Sequence, residues 1–449
     1  PIAMTESDWL ASLPPGGRSF RLDVPANLLL CGEYAITEPE GQGIWLAAEP
    51  DDGRRAFLEC HPAASFGLTL RWPGANSSWS LTTPPPAMLQ AVLDGLDDLA
   101  SRGTLTPNTW LGPWSIELDT SAFFSPDGRK LGLGSSAAAC LLLSAALLHL
   151  NLIGQSADKR VLIWRDFPAW SVANHRRFQG GRGSGYDILC SLYGGMGLFT
   201  GGSLPRGQRL PDQIAARLPP FKLVPGAQTV RTGSAIDAWR IWKATHPGQA
   251  VRYLETCRHN VAGFLALAPS NPGDSTEPPS SPPPSSQQII ALLEQARLAG
   301  VSRGESIGVP ATVDNGVPEG AFAKALGAGN ETIMVIERDS LLPASGEPRT
   351  PGSPNASSLT TDRIAADRSC RYRVALRGLR ARPILASGLA RAKLLLFGEH
   401  VALFGWPAVG TPLDEACRVS FCPDDTATDA SCRFPDLPGK LAAAATQVL

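Results

Sequence analysis

A glycine-rich turn that runs into two serines and then a wholly apolar stretch, KLGLGSSAAACLLLSAALLHL from Lys130 to Leu150, constrains this chain more than any other feature. Ala, Leu and Cys fall on every side of a helix drawn through it, so the helix has to be buried rather than lie on a surface. Its serines sit where an N-cap belongs. Glycines just ahead of a helix start let backbone N–H groups close around an anion, and the helix dipole favours negative charge there. Phosphate is the natural guest. The spacing is neither G-x-G-x-x-G nor G-x-x-x-x-G-K, which disfavours the two common nucleotide turns. An ordinary helix entered through a Gly-Ser turn is the alternative reading.

At 449 residues the chain exceeds one ordinary core, and two or three domains are expected. A net charge of -1 with no long basic run argues against a nucleic-acid partner. Nine scattered cysteines without a C-x-x-C pair point to reduced thiols, a cytoplasmic setting and no zinc site. The apolar run around 137–148 is short for a bilayer crossing and no signal peptide is expected, so no membrane partner is expected either.

Along the chain, Phe20–Glu33 reads as a strand, a proline bend and a second, fully apolar strand. Segments near Arg54–Cys60, Leu68–Trp72 and Trp114–Leu118 extend the same sheet, and Pro84–Leu99 is helical. Arg160–Phe178 is a helix leading into a second glycine-rich turn, QGGRGSGYD, from Gln179 to Asp187. Phe221–Arg231 is expected to start a new sheet, followed by helices at Ala235–Thr245 and Gln288–Gly300. The Pro/Ser-rich stretch 270–287 cannot bury a core and reads as a surface insertion. Ala321–Ile336 is a third glycine-rich turn feeding a β-branched strand. Residues 342–370 read as a linker. Beyond them LARAKLLLFGEHVALFGWPAVGTPL repeats the layout of residues 22–47, an apolar strand, a Gly-Glu-aromatic turn and a second strand.

GLGSSAA at 132–138 resembles the phosphate-binding motif of the GHMP kinases, and DGRKLGLGSSAA (127–138), LLLCGEYAI (28–36) and HRRFQGGRGSGYD (175–187) resemble the phosphomevalonate kinases within that superfamily. The resemblance covers about residues 18–340. It implies an α+β, two-lobed fold, with a ribosomal S5 domain 2-like N-terminal lobe (1–200) and a ferredoxin-like C-terminal lobe (201–341). It further implies transfer of phosphate from ATP, with Mg2+, to mevalonate 5-phosphate in the mevalonate route to isoprenoids. Carried over by position, Gly132, Leu133, Gly134, Ser135, Ser136 and Ala137, with Gly327 and Gly329 of the third turn, would hold ATP, and Ser136 would ligate the magnesium. Lys130 and Asp187 would be catalytic, and Glu33, Tyr34, Arg182, Ser184 and Gly185 would line the acceptor pocket. Mevalonate itself, or another small acceptor of this superfamily, is the alternative substrate, and a homodimer is the assembly to test.

Other readings compete residue by residue. Asp187 would serve equally as a turn residue capping the next helix, and Lys130 as a surface lysine. Glu33 and Tyr34 would serve to close a hairpin. Arg176 and Arg177 read best as a solvated face, and Trp239 and Trp242 as core packing. Two departures from the resemblance stand out. Asn27 occupies a position where a lysine is usual, and Asn330-Glu331-Thr332 replaces the glycine-rich, Asp-containing end of the third turn. A carboxylate at Glu331 would repel a phosphate unless it points away. These changes motivate a third reading, an impaired ATP-binding module. The repeat carries the lysine, Lys393, and resembles the opening of mevalonate kinase. Residues 371–449 therefore read as the start of a second, fused module with no activity of its own.

Overall fold

The computed structural model describes residues 18–73, 75–105, 111–125, 128–153, 155–226, 232–268, 285–313, 317–327, 329, 331–337, 371–384, 386–397 and 409–421, the last two as backbone. Proline has no N–H to give to a ladder, and at Pro25 the chain changes sheets. Before it, β1 (Phe20–Val24) pairs with β4 (Ala56–Pro62); after it, β2 (Ala26–Cys31), buried at every residue, pairs with β3 (Gln42–Pro50).

The first sheet is completed by β5 (Gly67–Trp72), β6 (Ala75–Ser80), β7 (Trp114–Asp119) and a late strand, β14 (Arg380–Pro383). Its order is β14-β1-β4-β7-β5-β6, antiparallel except where β5 meets β7. Against it lie helices α1 (Ala87–Ser101), α2 (Ser135–Leu152), α3 (Ala157–Phe178) and α4 (Tyr186–Tyr193). The α2 helix is the centre of this lobe, touched by the other three and by β1 and β4. The expectation that its apolar run is too short for a bilayer is revised: by length and composition the helix would cross one, but 78% of it is buried inside the protein. Its uniform apolarity has a sufficient cause in neighbours on every face.

The second sheet takes in β8 (Met196–Thr200), β9 (Arg206–Arg209), β10 (Phe221–Pro225), β11 (Phe322–Leu326), β12 (Thr332–Ile336) and β13 (Arg371–Val374). Its order is β11-β12-β10-β13-β3-β8-β9, with β2 also on β3. Between its strands the chain forms a short turn of helix α5 (Asp212–Ala215), then α6 (Thr232–Thr245), α7 (Pro247–Ala266) and α8 (Ser286–Ile307). The last two pack on β3, β2 and β11. The fold is α+β and two-lobed. Contrary to the expectation of a new sheet at residue 221, β10 joins the sheet that already holds β3. Tyr372 of β13 makes that link, facing Phe221 on one side and Pro50 on the other. The α8 helix starts at Ser286 behind a capping box of Ser285 and Gln288, so the end of the 270–287 insertion is helical; residues 269–284 lie outside the described residues.

Residues 371–384 belong to the main body, and a boundary at 371 does not coincide with the sheets. β13 bridges the lobes and β14 extends the first sheet along β1. Charge fixes this return. Asp23 of β1, fully buried, meets Arg380 at 2.7 Å, Arg382 at 2.6 Å and Arg55 at 3.6 Å, while Glu49 holds Arg55 and Arg373. Burial pushes the Asp23 carboxyl up, and the guanidiniums of Arg380, Arg382, Arg55 and Arg21 outweigh it, holding the group far below the usual carboxylate range.

The repeat forms its own two-stranded sheet from β15 (Ala386–Phe397) and β16 (Val409–Phe421). From Lys393 on its register copies the first hairpin, after a shift at Arg391/Lys393 that the first hairpin lacks. Leu28 faces Leu46 and Cys31 faces Ile44 across an irregularity at Leu29/Cys31; Leu394 faces Thr411 and Phe397 faces Val409 across one at Leu395/Phe397. Aligning Asn27 with Lys393 puts the two irregularities at the same position, with a connection one residue shorter in the copy.

Candidate functional site

The first glycine turn delivers the chain to α2 as its sequence demands. Gly132 (φ 62°) and Gly134 (φ 78°) are both left-handed, a conformation that costs other residues about 1 kcal/mol or more. Gly134 is the N-cap, and no side chain caps the helix. The helix start thus presents backbone N–H groups with Ser135 and Ser136 beside them, the arrangement that suits an anion. A Cβ at Gly134 would run into the amide of Asn27, so that glycine is needed for close approach as well as for its backbone angle.

Asn27 is buried. Its Nδ2 donates to the Ser191 hydroxyl at 3.1 Å, which in turn donates to the Pro25 carbonyl, and its backbone N–H donates to Leu133. The amide therefore ties β2, α4 and the first turn together.

The third turn docks onto the first. Thr332 donates its hydroxyl to the Leu131 carbonyl, and the Glu331 carboxyl lies 3.3 Å from where a Cβ of Gly132 would stand. Glu331 does not point away, as a carboxylate beside a phosphate site should. Burial raises its pKa, and the charge of exposed Lys130 works in the opposite direction. Gly327 and Gly329 line a water-sized cavity of about 10 Å3 with Glu33, Tyr34, Lys324 and Arg297.

In that cavity Glu33 is already matched. Lys324 reaches it at 2.6 Å, both side chains are almost wholly buried, and the Tyr253 hydroxyl donates to the Glu33 carbonyl at 2.5 Å. Tyr34 stacks on Trp239 with ring centroids 5.8 Å apart, and burial, followed by the Glu33 charge, pushes its phenol well above the ordinary range. Both residues of this turn are structural partners before they are ligand partners. Trp239 and Trp242 stack in the same small core, as the sequence suggests.

The second turn is organised by a residue that the sequence reading set aside. Arg176 donates to the carbonyls of Gly183, Ser184, Gly202 and Ser203 at 2.8–3.1 Å, so it is no solvated side chain but the clip that holds this turn to the end of β8. Arg177 likewise reaches the Ala91 carbonyl and Asp98. Gly185 (φ 92°) caps α4, and Asp187 falls in its first turn, 3.6 Å from the Nδ1 of buried His175. Asp187 also acts electrostatically on Cys140, raising its pKa after burial, the largest cause, has done so. Cys140 is four residues beyond Ser136, on the same face of α2. The second turn therefore leads into a helix, α4, that packs against α2. Arg182 is exposed and meets Asp237 at 3.4 Å, and the Ser184 hydroxyl accepts from Tyr186 N–H.

Lys324 goes unread in the sequence, while Arg176 reads there as a solvated side chain and Glu331 is expected to point away. A lone lysine in the apolar strand FAKAL was the one available signal, since a buried charge needs a partner.

No protein-family profile matches the chain, and no curated protein matches it in sequence. In three dimensions it resembles a Lin0012 protein from Listeria innocua, at 17% identity and a TM-score of 0.53, over 71% of this chain and 91% of that one. The fold is shared. Structural neighbours at low identity include GHMP-type kinases. One is Streptococcus pneumoniae phosphomevalonate kinase in complex with phosphomevalonate and AMPPNP (16% identity, TM-score 0.46, 70% of this chain and 91% of that). Another is Methanococcus jannaschii mevalonate kinase (13%, TM-score 0.48, 73% and 93%).

Proposed function

We propose that this chain is an ATP-dependent kinase of a small phosphorylated acid, with mevalonate 5-phosphate as acceptor. The observation that carries the reading is the start of α2, left-handed at Gly132 and Gly134 and capped by no side chain, with Asp187 in the first turn of α4, the helix that packs on α2. Phosphoryl transfer depends on positioning and on neutralising charge at the equatorial oxygens, and here the backbone N–H groups and Lys130 are the donors at hand. Among the described residues no group of three or more His, Cys, Asp or Glu could hold a metal ion. That suits a magnesium ion arriving with the nucleotide, since such an ion keeps several waters and takes one or two protein ligands. Ser136 would be one of them, and the ion would neutralise phosphate charge. An acceptor phosphate with a second pKa near about 6 is largely ionised at neutral pH, so Asp187 acts as an orienting group rather than a proton acceptor.

A second reading, an ATP-binding module of low activity, is favoured by two observations. Asn27 puts a neutral amide, bonded to Ser191, where the resemblance calls for a cation, and Glu331 lies against Gly132. An ADP-release assay with mevalonate 5-phosphate, and with mevalonate alone, decides between them. Turnover with the phosphorylated acid that falls at least about a hundredfold in Asp187→Ala and Lys130→Met, both still folded, is the expected result. Turnover with mevalonate alone moves the assignment to that acceptor. Magnesium-ATP binding with no turnover on either establishes the second reading.

A further inference from the structure

Helices α7 and α8 leave a solvent-open cavity of about 260 Å3 between them, away from the three glycine turns. Gln249, Arg252, Tyr253 and Thr256 line it from one face of α7, and Ala299, Ser302 and Arg303 from α8. The spacings i, i+3, i+4 and i+7 on the first helix, and i, i+3 and i+4 on the second, put all of them on facing sides. The lining contains two guanidiniums, an amide and three hydroxyls, of which the Tyr253 phenol is already engaged with the Glu33 carbonyl. It contains no carboxylate.

Arg303 is the residue that requires an explanation. It is 7% exposed, its guanidinium carbon lies 3.7 Å from the Trp242 ring centroid and 4.7 Å from that of Tyr253, and its Nε and Nη1 have no hydrogen-bond partner. Stacking on two rings satisfies the flat faces of a guanidinium but none of its in-plane donors. Burial lowers its pKa, and Tyr253 and Cys257 work in the opposite direction. A cation this buried with two unpartnered nitrogens is costly to keep, and an anion in the adjoining cavity removes that cost.

We propose that this cavity is a binding site for a phosphate-class oxyanion, held by Arg303 and Arg252 and seconded by Gln249 and Ser302, with Thr256, whose hydroxyl donates to the Arg252 carbonyl at 3.0 Å, on its wall. Guanidinium forks match the oxygens of phosphate, and hydroxyl and amide donors complete the shell. The volume leaves room for more than a single phosphate group. The site shares no residue with the glycine turns and does not rest on the kinase reading. Through Tyr253, whose hydroxyl donates to the Glu33 carbonyl, it adjoins the candidate site by one side chain.

Titration of inorganic diphosphate into the full chain, followed by tryptophan emission, tests the proposal, because Trp242 lies under the guanidinium. A saturable change is expected, with the apparent dissociation constant raised at least about tenfold in both Arg252→Gln and Thr256→Asp. Both positions are exposed, so both variants are expected to fold, and circular dichroism checks it. No saturable change in the unaltered chain, or one of equal affinity in folded forms of both variants, overturns the proposal. The second result would place the diphosphate elsewhere, as at the α2 start.

Discussion

The two hairpins, β2–β3 and β15–β16, have the same pattern and, over Asn27–Cys31 and Lys393–Phe397, the same register with an irregularity at the same place, yet among the described residues their surroundings differ. The first is built into an eight-stranded sheet, with α7 and α8 against it and every residue of β2 buried. The second forms a two-stranded sheet of its own. A lone hairpin is marginal in water, because a single ladder leaves a face and two edges unpaired. The pattern L-L-L-x-G-E specifies a bulged hairpin in both places; it does not specify what covers it. What covers the first copy includes residues 371–384, which precede the second copy in the chain and run back into the body.

Removing that return is expected to have the largest effect. A chain ending at 370 loses the strand between β3 and β10 and two partners of Asp23, Arg380 and Arg382, and is expected to fail to fold, whereas one ending at 385 is expected to keep its main thermal transition. Circular dichroism melts of the two would refute the distinction if they coincided. Next in size, breaking the ion cluster by Asp23→Asn leaves buried arginines short of charge and should cost about 3–5 kcal/mol in denaturant unfolding. The same cluster sets an acid limit. The folded pKa of Asp23 is depressed, so its contribution is complete above the ordinary carboxylate value of 3.8 and is lost as pH falls below it. The Asp23→Asn variant should lack that portion of the acid-induced loss.

The matched pair Leu28→Ala and Leu394→Ala compares the hairpins directly. Leu28 is 2% exposed, and its truncation should lower the stability of the main transition by about 2–5 kcal/mol; truncation at Leu394 should leave that transition within about 0.5 kcal/mol. Equal losses would mean that the second hairpin is packed into the body after all. The smallest expected effect concerns Glu331, on the turn that docks beside the first hairpin. Glu331→Gln should tighten ATP binding a few-fold at neutral pH, about 1 kcal/mol or less. Since burial raises the Glu331 pKa, the gain should shrink as pH is lowered toward it; calorimetric titration at several pH values reads both.

Periodicity and turn chemistry carried much of this structure. The strands around Phe20–Cys31, the helices at 157–178 and 232–245, and the glycine that starts α2 follow from local sequence, because alternation, caps and left-handed turns are settled within a few residues. The candidate site was legible as three turns but not as a constellation. Arg176 looked like a surface charge because sequence gives a guanidinium's reach, not the four carbonyls that a returning chain brings to it.

By itself the sequence determined an apolar helix entered through a glycine turn, and a hairpin written twice; it put the cap on the serines, where the structure has Gly134 and no side-chain cap. Only the tertiary structure decided that Glu33 is neutralised by Lys324, that Glu331 lies on Gly132, and that residues 371–384 join the two lobes. The physical reason is common to all three. Each pairs residues tens to hundreds of positions apart, where the free energy comes from desolvated charge and shared ladders that no local window contains.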